Sequence, residues 1–403
     1  MDPATATALT TIEGAAAIEL AMEQEDPDSL TAATTLRRAF RPELAAAALT
    51  QAVLWRAARP KLGELLDLLP GSLLLSPDGL QQASRVDVSG HHAERFSRAG
   101  AQRVFDLGCG IGADSIAFLL AGISVVAVER DPATAILARH NLDLARRVAG
   151  GNDLTAEVII ADVTDRAIRF GEDDGVFLDP ARRHGGRRVW DPDGFSPPWD
   201  FAAELLRRPG PTGVKLGPGL PHDRIGDTVE AEWLSSGGEA VELGLWSGPG
   251  SEPGRWSALI LPETRIVRES VSLPVSGPRR YVYEPIGAVI RSRAIGTLAE
   301  QLGARLLDPQ VAYLTSDELV DTPAATAFEV QKELPYTEKV LRAWVRDNGI
   351  GTLEIKQRGI SLDPALLRLR LKPRGPASAT LLITRTPAGA RALVVRRVAR
   401  SAD

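Results

Sequence analysis

Cysteine is almost missing from this chain of 403 residues, and the single thiol, Cys109, excludes an intramolecular disulfide or a cysteine-rich zinc site. Histidine is scarce, and His91 and His92 have no Cys or His at ligand spacing, so no metal centre is expected. No apolar run approaches the ~18 residues of a membrane span, and Met1-Asp2-Pro3 does not begin a basic region followed by an apolar stretch. A soluble, cytoplasmic protein is the expectation. No repeat or low-complexity segment stands out. The net charge of −5 is unevenly spread: residues 331–403 carry 15 Lys and Arg against 6 Asp and Glu, a net of +9, which leaves −14 on the first 330 residues. A basic module on an acidic body points to a polyanionic partner or, failing that, to a solvated basic face.

The clearest positive signal is Arg103-Val104-Phe105-Asp106-Leu107-Gly108-Cys109-Gly110-Ile111-Gly112-Ala113-Asp114. An apolar strand ends in Asp-x-Gly-x-Gly-x-Gly and opens into a helical pattern. Glycines at these positions let the backbone turn sharply and approach a ligand, with amides directed from a helix N-terminus. After a second strand, Ser124–Val128, comes Glu129, at a strand end where a ribose diol needs a bidentate acceptor.

These residues resemble the class I S-adenosylmethionine-dependent methyltransferases. The resemblance implies a Rossmann-like α/β sheet, with Asp106, Gly108, Gly110, Gly112 and Glu129 holding the cofactor. Strand 3, Ala156–Ile160, is followed by Asp162, where the family places an acid that meets the adenine amino group. Asp162 could instead cap a short helix near 164–170. Strand 4, Gly175–Leu178, ends in Asp179-Pro180-Ala181-Arg182-Arg183, the position of the family's Asp/Asn-Pro-Pro-aromatic motif. Asp179-Pro180 is kept, while Ala181-Arg182 replaces the proline and the base-stacking aromatic. The implied catalytic set is Asp179 and Pro180 to orient a nitrogen, with Arg182 and Arg183, near Arg187 and Arg188, to hold phosphate or stack on a base. Methylation at carbon 5 of a pyrimidine normally needs a cysteine nucleophile, and the only thiol lies in the glycine loop.

Residues 1–95 read as a helical region: helices over 30–40 and 43–69, Pro42 at a start, Pro60 at a break, then a short strand at Leu73-Leu74-Leu75. Gln81 and Gln82 follow, as turn-capping residues or as approaches to cofactor or base. Residues 96–262 form the methyltransferase domain. Within it, Asp131-Pro132 starts the helix 133–149, Trp199 serves as an apolar anchor ahead of a stacking platform, and Lys215 on strand 5 (212–216) is either phosphate-neutralising or snorkelling. A hairpin over 230–246 and a strand at 255–261 suggest an antiparallel edge. In residues 263–403, Glu284-Pro285-x-x-Ala288-x-x-Arg291, Tyr313-Leu314-Thr315-Ser316 and Lys356-Gln357-Arg358-Gly359 resemble a C-terminal α+β THUMP-like module, basic from about 331. Its expected elements are helices to 302 and over 337–347, and strands at 352–356, 367–371, 380–384 and 391–398. The family resemblance implies S-adenosylmethionine as cofactor and RNA, tRNA or rRNA, as partner, methylated on a base nitrogen. The alternatives are a small acidic metabolite as acceptor, or a cofactor-binding RNA module without turnover.

Overall fold

The computed structural model describes residues 1–69, 73–150, 153–165, 167–180 and 194–400, with the backbone alone of 183–184 and 187–188. The chain divides into two compact units, residues 1–230 with 243–254 and residues 231–242 with 255–403. Among the described residues no helix is long and apolar enough to cross a membrane.

The first unit begins with α1 (Pro3–Leu9), α2 (Ile12–Met22), α3 (Leu30–Ala39) and α4 (Pro42–Leu68). Side chains of Asp2, Thr11 and Ser29 cap the first three, and Pro42 sits in the first turn of the fourth. As Pro60 foretold, α4 bends, with non-helical backbone at Leu62. The helices bury a core of small residues, including Ala6, Ala17, Ala48 and Ala52, around Leu36 and Leu44. Then come α5 (Pro77–Gln82) and α6 (Val86–Arg98).

Leu73-Leu74-Leu75 is not the strand its composition suggests. All three are buried, and amide side chains satisfy their backbone as a neighbouring strand would. Asn141 bonds both polar groups of Leu74 at 2.7 and 2.9 Å, Gln51 both of Leu75 at 2.9 and 2.8 Å, and the Trp55 indole donates to the Leu73 carbonyl at 2.8 Å. Asn141 also donates to the Ile111 carbonyl at 2.9 Å, which ties this segment to the glycine loop.

The sheet of this unit uses β1 (Arg103–Leu107), β2 (Ser124–Glu129), β3 (Ala156–Ile160), β4 (Gly175–Leu178) and, beyond a small ribbon of β5 (Arg183–His184) and β6 (Arg187–Arg188), β7 (Thr212–Leu216). Its order is β3-β2-β1-β4-β7, all parallel, with residues 243–247 antiparallel beside β7. Helices α7 (Ala113–Leu120) and α8 (Pro132–Ala149) supply crossovers, α8 capped by Asp131, and α9 (Trp199–Leu205) precedes β7. The strand register aligns Val128, Leu107, Leu178 and Val214 across β2, β1, β4 and β7. One residue further on, Glu129, Gly108, Asp179 and Lys215 therefore form a row along the carboxyl edge, where ligands bind in such sheets.

The second unit opens with β8 (Glu230–Ser236) and β9 (Glu239–Ser247), a hairpin shared at its ends with the first unit. β10 (Trp256–Ile260) pairs with β8 in parallel and not as an antiparallel edge, because the chain returns to the start of β8 before entering it. β11 (Thr264–Val267) is antiparallel to β10. A second sheet has seven strands: β12 (Tyr281–Pro285), β13 (Arg305–Asp308), β14 (Val311–Ser316), β15 (Ala325–Pro335), β16 (Ile350–Arg358), β17 (Ala377–Thr386) and β18 (Gly389–Arg397), in the order β13-β14-β12-β15-β18-β17-β16. The helix expected up to Leu302 is two helices, α10 (Gly287–Arg291) and α11 (Ile295–Gln301), parted where Arg293 takes φ 58°. α12 (Glu338–Asp347) is capped by Thr337. Residues 367–371, expected as a strand from Leu-Arg alternation, lie in a helix, α13 (Pro364–Leu371). The stronger signal was Asp363-Pro364: the Asp363 carboxylate accepts the amides of Ala365 and Leu366, and proline occupies the first turn. This helix is the crossover between the parallel pair β16 and β17.

Candidate active site

The glycine loop owes its path to left-handed backbone, with φ of 88°, 56° and 88° at Gly108, Gly110 and Gly112. A Cβ on Gly112 would lie 2.5 Å from Leu142 Cδ1, and one on Gly108 3.3 Å from the Asp179 carbonyl oxygen. At Gly110 it would meet no atom within 4 Å. The amides of Gly108 and Cys109 donate to the Val128 carbonyl at 2.9 and 3.1 Å. Glu129 completes the fastening by accepting the amides of Gly110 at 3.1 Å and Asp131 at 2.9 Å. A carboxylate offers about four lone-pair sites, so Glu129 keeps acceptor capacity for hydroxyls.

Loop and strand ends open on a cavity of about 670 Å³, within the range of small-molecule sites. Its lining includes Asp106, Gly108, Gly110, Glu129, Asp162, Asp179 and Pro180, together with Gln81, Gln82 and Lys215. Gly112 stands outside this lining, at the head of α7. Trp199 is buried in α9 and does not line the cavity, in keeping with an apolar anchor. Arg182 lies outside the described residues, and of Arg183 only the backbone, in β5, is described. Asp162 is exposed on the cavity wall and accepts the amide of Thr164 at 2.9 Å and its hydroxyl, bonds that hold its carboxyl below the usual range. Among the described residues of 164–170 there is no helix. Asp162 and Asp165 each accept an amide two residues on, turns that compete with helix formation at 164–170.

Two buried acids, Asp106 and Asp114, lie on the cavity lining and are coupled through their charges. Asp106, hydrogen-bonded by Ser115, is pushed up to about 7 by burial and then by the negative charge of Asp114. Asp114 is also buried, which alone would raise it, but Lys215, His92 and Ser84 outweigh burial and bring it down to about 2. The contacts form a chain. Lys215 Nζ stands 2.6 Å from Asp179 Oδ2 and donates to Ser84 Oγ at 3.0 Å; Ser84 donates to Asp114 at 2.7 Å; His92 Nδ1 meets the other Asp114 oxygen at 2.7 Å. Sequence reading missed Ser84, Asp114 and His92 as a group. Asp114 lies within the loop motif itself, but its partners come from the α5–α6 junction and from α6. Nearby, Lys61 donates to the carbonyls of Leu80 and Gln81 at 2.9 Å each, and burial followed by the charge of Lys215 lowers it to about 8. Cys109 is held well above its ordinary value by burial and by Asp106, so it remains a thiol rather than a nucleophile.

Residues 325–397 match the family described as THUMP domain-like, and residues 2–58 match a domain of unknown function (DUF8688). In Mycobacterium tuberculosis, strains CDC 1551 / Oshkosh and H37Rv each carry an uncharacterised S-adenosylmethionine-dependent methyltransferase 32% identical over 355 residues, covering 86% of this chain and 95% of the relative. This chain belongs to the S-adenosylmethionine-dependent methyltransferases. The fold agrees: a crystal structure of a candidate methyltransferase from Porphyromonas gingivalis W83 superimposes with a TM-score of 0.77 at 24% identity, over 99% of this chain and all of that one.

The cavity of this methyltransferase suits its cofactor. Seven of the described lining residues are Asp or Glu against two basic side chains, Arg130 and Lys215, a setting for a ligand that carries an ammonium and a sulfonium. When bound, S-adenosylmethionine supplies an electrophilic methyl group. The chain's own work is to hold and align an acceptor and to keep water away from it. Among the described residues no cluster of His, Cys, Asp and Glu is arranged to hold a metal ion.

Proposed function

We propose that this enzyme methylates a base nitrogen of RNA, tRNA or rRNA, in the cytoplasm. In this reading residues 1–95 support the cofactor loop, 96–262 carry out the transfer and the THUMP-like residues 263–403 hold the RNA. Asp106, Gly108, Gly110, Gly112, Glu129 and Asp162 hold the cofactor. Asp179, with the backbone of Pro180, orients the accepting nitrogen, and Arg182 and Arg183 hold phosphate or stack on the base.

The observation that carries the choice of RNA is the coincidence of the THUMP-like match at 325–397 with the net +9 of residues 331–403. The acidic cavity lining supports it from the other side. A small acidic acceptor would be repelled by the seven acidic residues of this lining, whereas a neutral base carries no charge for them to repel. RNA binding measured against salt tests this reading. Four phosphate contacts on a single strand give a slope of about −3 in log affinity against log salt, and salt-independent or absent binding would contradict it.

A further inference from the structure

The carboxyl end of β7 presents an anomaly that the cofactor does not explain. Every residue of Thr212–Leu216 is buried, as in a parallel strand covered on both faces, yet one of them is a lysine. A buried ammonium needs anionic partners to remain charged. Lys215 has Asp179 at 2.6 Å, and through Ser84 it is coupled to Asp114, itself bonded by His92. The sheet register puts Lys215 in the same row as Asp179, so the two side chains leave neighbouring strands on the same face. Ser84, Asp114 and His92 are all buried, while Asp179 is partly exposed on the cavity wall. The chain thus runs from a rigid interior to one carboxylate at the mouth of the site.

We propose that Lys215 is a positioning residue for methyl transfer: anchored from below by Ser84 and Asp114, it fixes the orientation of the Asp179 carboxylate at the cavity wall. The inference rests on the reading of Asp179 as the group that faces the transferring methyl and the acceptor. An aspartate at a strand end has two rotatable side-chain bonds. A carboxylate free to turn would swing toward the cationic cofactor rather than stay directed at the acceptor. The ammonium of Lys215 opposes that swing by holding one oxygen, and Ser84 prevents Lys215 from following it. Burial makes each contact stronger than it would be in water and makes the group act as one unit. Asp106 is hydrogen-bonded by Ser115 rather than by this chain, although the charges of Asp179 and Lys215 both reach it.

Two ligands separate this role from simple charge. Sinefungin carries a protonated amine where the transferring methyl sits, and S-adenosylhomocysteine carries nothing there, so the ratio of their affinities reads the field at the methyl position without any acceptor. Calorimetry on the full chain would compare wild type, Lys215→Met, Asp179→Asn and the double variant. If Lys215 restrains Asp179, Lys215→Met raises the preference for sinefungin about tenfold in the wild-type background and at most about threefold in the Asp179→Asn background, with Lys215→Arg restoring the wild-type ratio. An equal change in both backgrounds, no change, or loss of affinity for both ligands with the fold intact by thermal melting would each overturn the proposal. Asp179→Asn alone judges the underlying reading separately: an unchanged ratio would remove Asp179 from the methyl position.

Discussion

Two aspartates buried beside the same cavity, Asp106 and Asp114, meet the same problem in opposite ways. Asp106, under the glycine loop, has a hydroxyl partner and no ion pair among the described residues, and its carboxyl rises to about 7. Asp114, in the first turn of α7, is surrounded by Lys215, Ser84 and His92 and falls to about 2. In the proposed reading Asp114 belongs to the acceptor end and has its counter-ion in Lys215, while Asp106 belongs to the cofactor end, where a cationic ligand would balance its charge. In that reading the bound cofactor would complete the charge balance around Asp106, while the partners of Asp114 are already in place.

The largest way to break the contrast is to fill the loop. Gly112→Val puts a branched side chain at φ 88° with its Cβ 2.5 Å from Leu142, and backbone strain plus overpacking should cost about 5 kcal/mol. Denaturant melts would show the loss, and calorimetry would show cofactor binding abolished, with the acceptor-end residues untouched.

Asp106→Asn should sharpen the contrast by about 4 kcal/mol. A carboxyl raised from 3.8 to about 7 favours the folded state fully below pH 4, and that advantage is lost as pH rises through 7. Wild-type stability should fall over this window, and the asparagine variant should remain flat there in urea melts taken at successive pH values. Asp114 has the opposite sign and a smaller reach. Its carboxyl, lowered from 3.8 to about 2, contributes stability above pH 4 that disappears as pH falls through 2, a limb of about 2 kcal/mol. Asp114→Asn should erase that acid limb and also shrink the neutral one, because the charge of Asp114 is part of what raises Asp106.

The difference also explains what could be read from the sequence. The cofactor end is a continuous run, Asp106 to Gly112 with Glu129 one strand later, and each residue type has a local reason: glycines for left-handed backbone, an acid at a strand end. The central strands and α8 were legible for the same reason, since caps and apolar runs lie next to what they specify. At the acceptor end only Asp179-Pro180 and, at the close of the glycine-loop run, Asp114 belong to local motifs. Lys215, Ser84, Asp114 and His92 come from β7, the α5–α6 junction, α7 and α6, and nothing in a linear chain shows that they meet. Gln51 and Asn141 escaped notice likewise, because each replaces a missing strand for a segment far from it in sequence. Where local signals compete, the stronger one has to be chosen: Leu-Arg alternation suggested a strand at 367–371, but the Asp363-Pro364 start makes it a helix.

The central claim, methyl transfer to RNA at Asp179, is tested most directly by incubating the enzyme and its Asp179→Asn variant with labelled S-adenosylmethionine and total RNA from a strain lacking the gene, then identifying nucleosides by mass spectrometry. The expected result is one newly methylated nucleoside, modified on a base nitrogen, with the wild type. The variant should bind cofactor within about threefold of wild type and lose turnover by about a hundredfold or more. No labelled nucleoside from an enzyme that calorimetry shows to bind the cofactor, or full turnover by the asparagine variant, would contradict the claim.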